Sequence, residues 1–557
     1  MSLRKRAVEF VTLSTNSGDE VSVWINDDIR PLPPHRRTWN TMAFISFWAI
    51  NQIALGNWQL GSSLVAVGLS VWQTMIAVIL GKFIVAAVAL CNGAIGAKWH
   101  IGFPVMSRGI WGIYGAYLII IQRIILSLTW FAVQSWTGGL CVSAVLSAMF
   151  PSFMHLKNTL PESANTTTSR FLGWVVYNMI TVPILYVKPE KTAKLLFVMN
   201  GISLTTLVSM MIYLLAAARG GGPLLSAPAT AQSSSALGWA ITQGVTTVIG
   251  GIAVGLTNQS DYSRFARKPG DQVFGQWFSI ITLGTILPLF GCLSSSASLK
   301  LYGEAYWNPP DVLLRWLDDS YSSGTRAAVF FAGVGLVICQ LAINTIDNSF
   351  SAGMDLAGLL PKYLNIRRGA YIALVLSIVM CPWQLLASAG TFISVMGAYS
   401  VFLGPMCGIQ ITDYFLIRQR KVKLSDMYSP SPSGIYYFWK GVNPRAFVAW
   451  CVGWAPQLPG FIANVNPDVD VPDVCMKMFY LAFPLGLVIS ATVYYLLCRF
   501  ALPRGIGEID NVDYFGTFNA EEAARLGISP ISQLEGIDDR GEKDDVRLDN
   551  EEKFYRA

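Results

Sequence analysis

Charge is scarce in this sequence. Asp, Glu, Lys and Arg make up 13% of its 557 residues, about half of the roughly 25% carried by soluble domains. Histidine is scarcer still, with His35, His100 and His155 all in presumed loops, so a histidine relay through a membrane is missing. The nine cysteines contain no C-x-x-C pair and fall mostly inside apolar stretches, which argues against a zinc site or a disulfide framework. No G-x-x-x-x-G-K-[ST] sequence occurs, and Gly81-Lys82-Phe83 fails at the last position. Nucleotide hydrolysis by this chain is thereby excluded. Disorder, collagen and nucleic-acid binding are excluded too, and no enzyme reading has support. The first forty residues lack a secretory apolar core, so the N-terminus is expected to be cytosolic.

What the chain has is apolar sequence in long blocks, 53% of all residues. About twelve segments reach the ~20 residues that cross ~30 Å of hydrocarbon. They run over 41–68, 70–97, 109–137 (with a continuation to 150), 169–187, 193–218, 238–263, 274–299, 327–358, 369–389, 390–417, 444–464 and 476–500. Alternate loops carry the bases: Lys98 and Arg108; Lys188, Lys191 and Lys194; Arg264, Arg267 and Lys268; Arg367 and Arg368; Arg418 to Lys440. Cytosolic loops are enriched in this way, so both termini are expected inside. Asn165-Thr166-Thr167, before span four, is an N-glycosylation acceptor pattern on the external side.

Spans one and six are atypical. The first contains Asn51-Gln52-Ile53-Ala54-Leu55-Gly56-Asn57, the sixth Gly250-Gly251-Ile252-Ala253-Val254-Gly255. Glycines and amides at mid-membrane free backbone groups that lipid cannot satisfy, so such breaks persist where they line a cavity. Their placement five spans apart matches inverted-repeat transporters; small-residue helix contacts are the plainer alternative.

In span three, Trp130 and Gln134 are four residues apart and share a helix face. An indole beside an amide suits a flat polar ring; a packing Trp with an interhelical amide bond fits the same spacing. Span eight holds Asn344, Asp347, Asn348 and Asp355, and acids in lipid point to a site or an ion pair. The alternative is a helix ending near Asn348, with Asp355 at the interface. Lys82, Arg123 and Asp261 are either ion-pair partners or parts of a proton path. Arg123 reads as structural, since guanidinium stays charged; Asp261 reads equally as a coupling acid or as a cap on the inner end of span six. Phe392, Met396 and Tyr399 share one face of span ten, as a core stripe or a gate.

These features together resemble the nucleobase-cation-symport family, in particular its fungal branch of uracil, allantoin, uric acid and uridine permeases. The likeness is carried by Pro31 to Trp39 (PLPPHRRTW), Asn92-Gly93, Trp130 and Gln134, Asn258 to Lys268 (NQSDYSRFARK), Asn344 to Asp355, Leu359 to Gly369 (LLPKYLNIRRG) and Met396 to Pro405. It runs from about residue 30 to 500. The resemblance implies an all-α membrane protein, a five-plus-five inverted repeat with two extra C-terminal helices. Residues 41–218 would form repeat one, 238–417 repeat two and 444–500 the last two spans, between cytosolic tails at 1–40 and 504–557. It also implies that Trp130 stacks on a heterocycle, that Gln134 and Asn344 bind its polar atoms, and that Phe392 and Tyr399 border the site. Ile393, Val395 and Met396 would tune an outer gate, with Asp261 and Lys188 affecting transport or inner-gate contacts. Fungal members use protons. The sodium version needs hydroxyl oxygens one to two turns before Asn344, because hard cations want an oxygen cage, and this chain has Ile338 and Cys339 there. It departs from the pattern in span one, where it reads Ala54-Leu55-Gly56-Asn57-Trp58, and at Ile252.

The expected function is plasma-membrane import of a planar amide heterocycle with protons, uracil first and allantoin, uric acid or uridine behind. The rival readings are a thiamine or nicotinamide riboside transporter and a non-transporting receptor on the same fold. The acidic tail after Pro503 reads as largely disordered, with ubiquitin ligase machinery as an expected partner at Lys5, Lys543 or Lys553. No cofactor or metal is expected beyond the coupling proton.

Overall fold

A computed structural model describes residues 12–13, 22–186, 193–225, 233–466 and 468–530. Lys188 and the three tail lysines lie outside them. The fold is all-α apart from a two-residue parallel strand pair in the C-terminal segment. Among the described residues, eight helices are long and apolar enough to cross a membrane, the longest Gly115–Met149 and Ser323–Leu359. The other four expected spans are present but interrupted or short. Span one is Thr41–Gln52 followed by Leu55–Ala66. Span six is Ser234–Gly250, Ala253–Thr257 and Gln259–Ser263. Span four, Thr168–Ile184, is a short helix of 17 residues with Pro183 near its end.

Span nine ends earlier than the apolar pattern predicts. Ile366–Ser377 tightens into a 3-10 turn, Ile378–Met380, and Cys381 then turns left-handed at φ 45°. Pro382 starts a separate short helix, Pro382–Leu385. A proline at the first helical position fits a new start and not a continuation. Two helices lie between spans: Phe103–Trp111 after span two, and Pro309–Asp319 after span seven.

Span one sits against span seven with almost no side chain between them. A Cβ on Gly61 would fall 2.1 Å from the Pro288 carbonyl, and one on Gly291 2.2 Å from that of Trp58. Span six meets span ten similarly, since a Cβ on Gly250 would lie 1.9 Å from the Met396 carbonyl. Deeper in the core, Arg123 and Asp355 form an ion pair in which both side chains are 0% exposed. Arg123 Nε donates to Asp355 Oδ1 at 3.2 Å, and a terminal nitrogen donates to Ser351 Oγ at 3.1 Å. The span-eight helix runs on to Leu359 and does not end near Asn348, and Asp355 is buried inside the protein.

The tail after Pro503 is folded as far as residue 530, contrary to the disorder its acidity suggests. Asp513 accepts from the backbone N–H groups of Thr517 and Phe518 at 2.9 and 2.8 Å, and Asn519 caps a helix, Ala520–Leu526. Arg37, from the PLPPHRRTW segment, donates to both oxygens of Glu522 at 2.8 and 2.9 Å and to the Thr517 carbonyl at 3.1 Å. The segments flanking the membrane domain therefore meet on one face. Arg37 also donates to His100 Nε2 at 2.7 Å, which leaves Nδ1 to donate to the Arg264 carbonyl at 3.1 Å. Burial first, and the Arg37 guanidinium second, push this imidazole from its ordinary 6.5 down to about 4.

A base with a lowered pKa in the folded protein takes its proton more readily once unfolded, so this contribution to stability is complete above pH 6.5 and is lost as pH falls toward 4. Thermal unfolding of the purified protein should therefore shift to lower temperature between pH 7 and pH 5. Arg123→Met should destabilise the protein by about 3 to 5 kcal/mol by stranding a buried carboxylate. Arg123→Met with Asp355→Leu should recover most of that loss, read by thermal unfolding of detergent-purified protein.

Candidate functional site

The breaks in spans one and six face each other across two small adjoining cavities. Asn51, Trp130, Gly251 and Ile252 border both. Lobe one adds Ser127, Asp347, Asn348 and Tyr399. Lobe two adds Asn57, Lys82, Gln134 and Phe392. Helices with 3.6-residue turns present Trp130 and Gln134 side by side, as their spacing predicts.

Several predicted residues come together here. Trp130 meets Tyr399 edge-on, with ring centroids 6.2 Å apart and planes at 80°. The Tyr399 hydroxyl donates to the Leu126 carbonyl at 3.1 Å, which fixes that ring. Phe392 packs against Trp307 at 5.7 Å. Gln134 is oriented by Gln340, whose Nε2 donates to Gln134 Oε1 at 2.9 Å. The Gln134 Nε2 group is then a donor beside the break, and a Cβ on Gly56 would come within 3.1 Å of it. A larger residue than glycine at position 56 would crowd that donor.

Other predicted residues lie elsewhere. Asn344 does not border either lobe; it is fully buried and its Oδ1 accepts from Asn348 Nδ2 at 2.9 Å. Asn348 is the amide that reaches the cavity. It sits in a π-helical stretch, Asn344–Ser349, and such bulges re-aim side chains at functional sites. Ile393 packs with Leu64 and Leu69 away from the lobes, while Val395 and Met396 belong to the main core. Asp261 accepts from the Phe103 backbone N–H at 2.8 Å and from Asn258 Nδ2 at 3.1 Å. It ties the inner end of span six to the start of Phe103–Trp111 and does not border the cavity.

The sequence reading named Lys82 as an ion-pair partner or part of a proton path, but not the groups it meets. Lys82 of span two is 1% exposed, and its Nζ donates to Gln52 Oε1 at 2.9 Å and Asn57 Oδ1 at 2.8 Å. Its partners come from both sides of the span-one break, a pairing that no local pattern announces. Asp347 accepts from Asn51 Nδ2 at 2.6 Å and from the Tyr262 hydroxyl at 3.1 Å. The cavity is thus polar at two ends and aromatic between them, suited to hold a small flat molecule by one stacked face and a few edge hydrogen bonds.

Known proteins match this architecture. Residues 31–486 fit the family model described as a permease for cytosine/purines, uracil, thiamine and allantoin. The chain is 48% identical to the transporter aclS of Aspergillus oryzae, over 95% of each protein. It is 34% identical to a thiamine transporter of Saccharomyces cerevisiae, over 95% of this chain and 88% of that one. The structure superposes with TM-score 0.66 on Mhp1, a nucleobase-cation-symport-1 family transporter in a closed conformation, covering 90% of this chain and 99% of that one at 20% identity. That likeness shows the fold, the five-plus-five repeat with two further C-terminal helices. The chain therefore belongs to the cytosine/purine, uracil, thiamine and allantoin permease family, the nucleobase-cation symporters, and is an integral membrane transporter, not an enzyme.

Proposed function

We propose that this permease imports a small, planar, uncharged amide heterocycle across the plasma membrane together with a proton, with both termini cytosolic and uracil as the leading substrate; allantoin, uric acid and uridine follow. The observation that carries this reading is the pairing of Trp130 and Gln134 where the two lobes meet the helix breaks. The indole stacks on the ring, and Gln134 Nε2, held outward by Gln340, donates to a ring carbonyl. Asn348, oriented by Asn344, supplies a second amide, with Phe392 and Tyr399 at the borders. Lys82 beside this site disfavours a cationic vitamin, because like charges repel strongly where water is excluded.

Proton coupling is supported at the span-one break. The Ile53 carbonyl, exposed by the interruption, accepts from the Cys339 thiol of span eight at 3.3 Å. A side chain thus holds two spans together at the level where the sodium-using pattern asks for hydroxyl ligands. Asp347 favours a second reading, thiamine or nicotinamide riboside, since a carboxylate flanked by Trp130 and Tyr399 in lobe one also suits an aromatic cation.

Radiolabelled uptake in a permease-deficient cell separates the two. Uracil should be accumulated, collapse with a protonophore and resist competition by thiamine; competition by thiamine with none by uracil would select the second reading. Substrate binding without flux would make the chain a receptor. Gln134→Ala should weaken uptake at least several-fold at normal surface expression, because about 1 to 3 kcal/mol of hydrogen bonding is lost when a buried partner is stranded.

A further inference from the structure

We propose that Asp347 and Lys82 form the proton-handling pair of this transporter, wired to each other through Asn51 and Gln52 at the break of span one. This inference rests on the proton-symport reading above. The wiring is continuous. Lys82 Nζ donates to Gln52 Oε1 at 2.9 Å, Gln52 Nε2 donates to Asn51 Oδ1 at 2.8 Å, and Asn51 Nδ2 donates to Asp347 Oδ2 at 2.6 Å. Every donor points from the ammonium toward the carboxylate. Both amides are thereby polarised in the direction that stabilises a charge at each end, and chains of this kind strengthen cooperatively. Asn57 pins the relay, accepting from Lys82 and donating to the Asn51 and Gln52 carbonyls at 2.9 and 3.1 Å.

The two ends sit in different lobes. Among the described residues that border the cavity, Asp347 is the acid of lobe one and Lys82 the base of lobe two. The other buried acids nearby are committed elsewhere: Asp355 to Arg123, and Asp261 to the Phe103 N–H and Asn258. The groups that face Asp347 from its neighbours are the Asn51 amide of span one and the Tyr262 hydroxyl of span six, with the Arg123 guanidinium of span three, already paired to Asp355, at longer range. On span nine, Arg367 lies over Tyr186 and Arg368 donates to the Tyr363 carbonyl, so neither answers Asp347.

The consequence is a coupling device. A proton from the aqueous side bonds to Asp347 Oδ2 and turns it from acceptor to donor. Asn51 must then present its oxygen there and its N–H₂ to Gln52, so Gln52 in turn presents its own N–H₂ to Lys82. The ammonium loses an acceptor, and that N–H is free for a carbonyl of the ring held by Trp130 and Gln134. Proton and substrate therefore favour each other's binding, and by linkage the effect is reciprocal. The proton leaves Asp347 when the substrate departs to the other side; no covalent bond other than O–H forms or breaks.

Purified protein in liposomes, assayed with radiolabelled uracil, tests this. The wild type should accumulate uracil when a pH gradient is imposed. Asp347→Asn should lose gradient-driven accumulation, and its exchange of external for preloaded uracil should show no pH dependence. Accumulation by Asp347→Asn driven by the gradient would overturn the pair while leaving symport intact. Uracil flux in the wild type that ignores both gradient and protonophore would remove symport itself, and the pair with it. Gln52→Leu keeps both charges and cuts the wire. Its apparent affinity should become several-fold less sensitive to pH between 5 and 7.5, and an unchanged pH profile overturns the relay. This variant also carries the test if Asp347→Asn fails to fold.

Discussion

Backbone polar groups in hydrocarbon must find partners inside the protein, and the site of this transporter exists because two spans violate the simplest way of doing so. Each interruption strands carbonyls at mid-membrane, and each stranded group costs several kcal/mol if left alone. The structure answers with side chains from other spans. In span six the Val254, Leu256 and Thr257 carbonyls accept from Arg123, Asn92 and Gln410 at 3.4, 2.9 and 3.3 Å. In span one Cys339 of span eight does the same for Ile53, while Asn57 of span one itself serves the Asn51 and Gln52 carbonyls across the break. The polar residues that such a repair requires are also the ones that surround the cavity.

This explains why Arg123 is buried at all. One nitrogen supports the Val254 carbonyl, the rest of its fork meets Asp355 and Ser351, and its face lies 4.6 Å above the Phe103 ring. The guanidinium joins spans three, six and eight and the Phe103–Trp111 helix at one point. A planar, permanently charged fork suits that task better than an ammonium would. Lys82, a single mobile point charge, is placed instead where its partners can change.

Much of this was legible in the sequence. The twelve apolar segments, the paired interruptions and the Trp130–Gln134 face all follow from length and periodicity. What was not legible depended on contacts between distant segments. Lys82 reads from sequence as an ion-pair partner or part of a proton path, and only the fold shows that it is met by two amides, Gln52 and Asn57. Asn344 and Asn348 are one turn apart, and only the π-helical stretch decides which of them faces the cavity. The acidity of residues 504–530 suggests disorder, but Arg37 and the self-capping of Asp513 and Asn519 give that segment a partner and a local fold. The Pro309–Asp319 helix has a start signal in Asn308-Pro309-Pro310, but at 11 residues it is too short to stand out as a span.

The bare contact between spans one and seven sets how the molecule can move. Carbonyls lie almost directly on Gly61 and Gly291, so no layer of flexible side chains is available there to slip and re-form. The Leu55–Ala66 segment and its neighbour must travel as one slab. Relative sliding is left to seams filled with rotatable side chains, where a change of rotamer costs far less than prising two backbones apart.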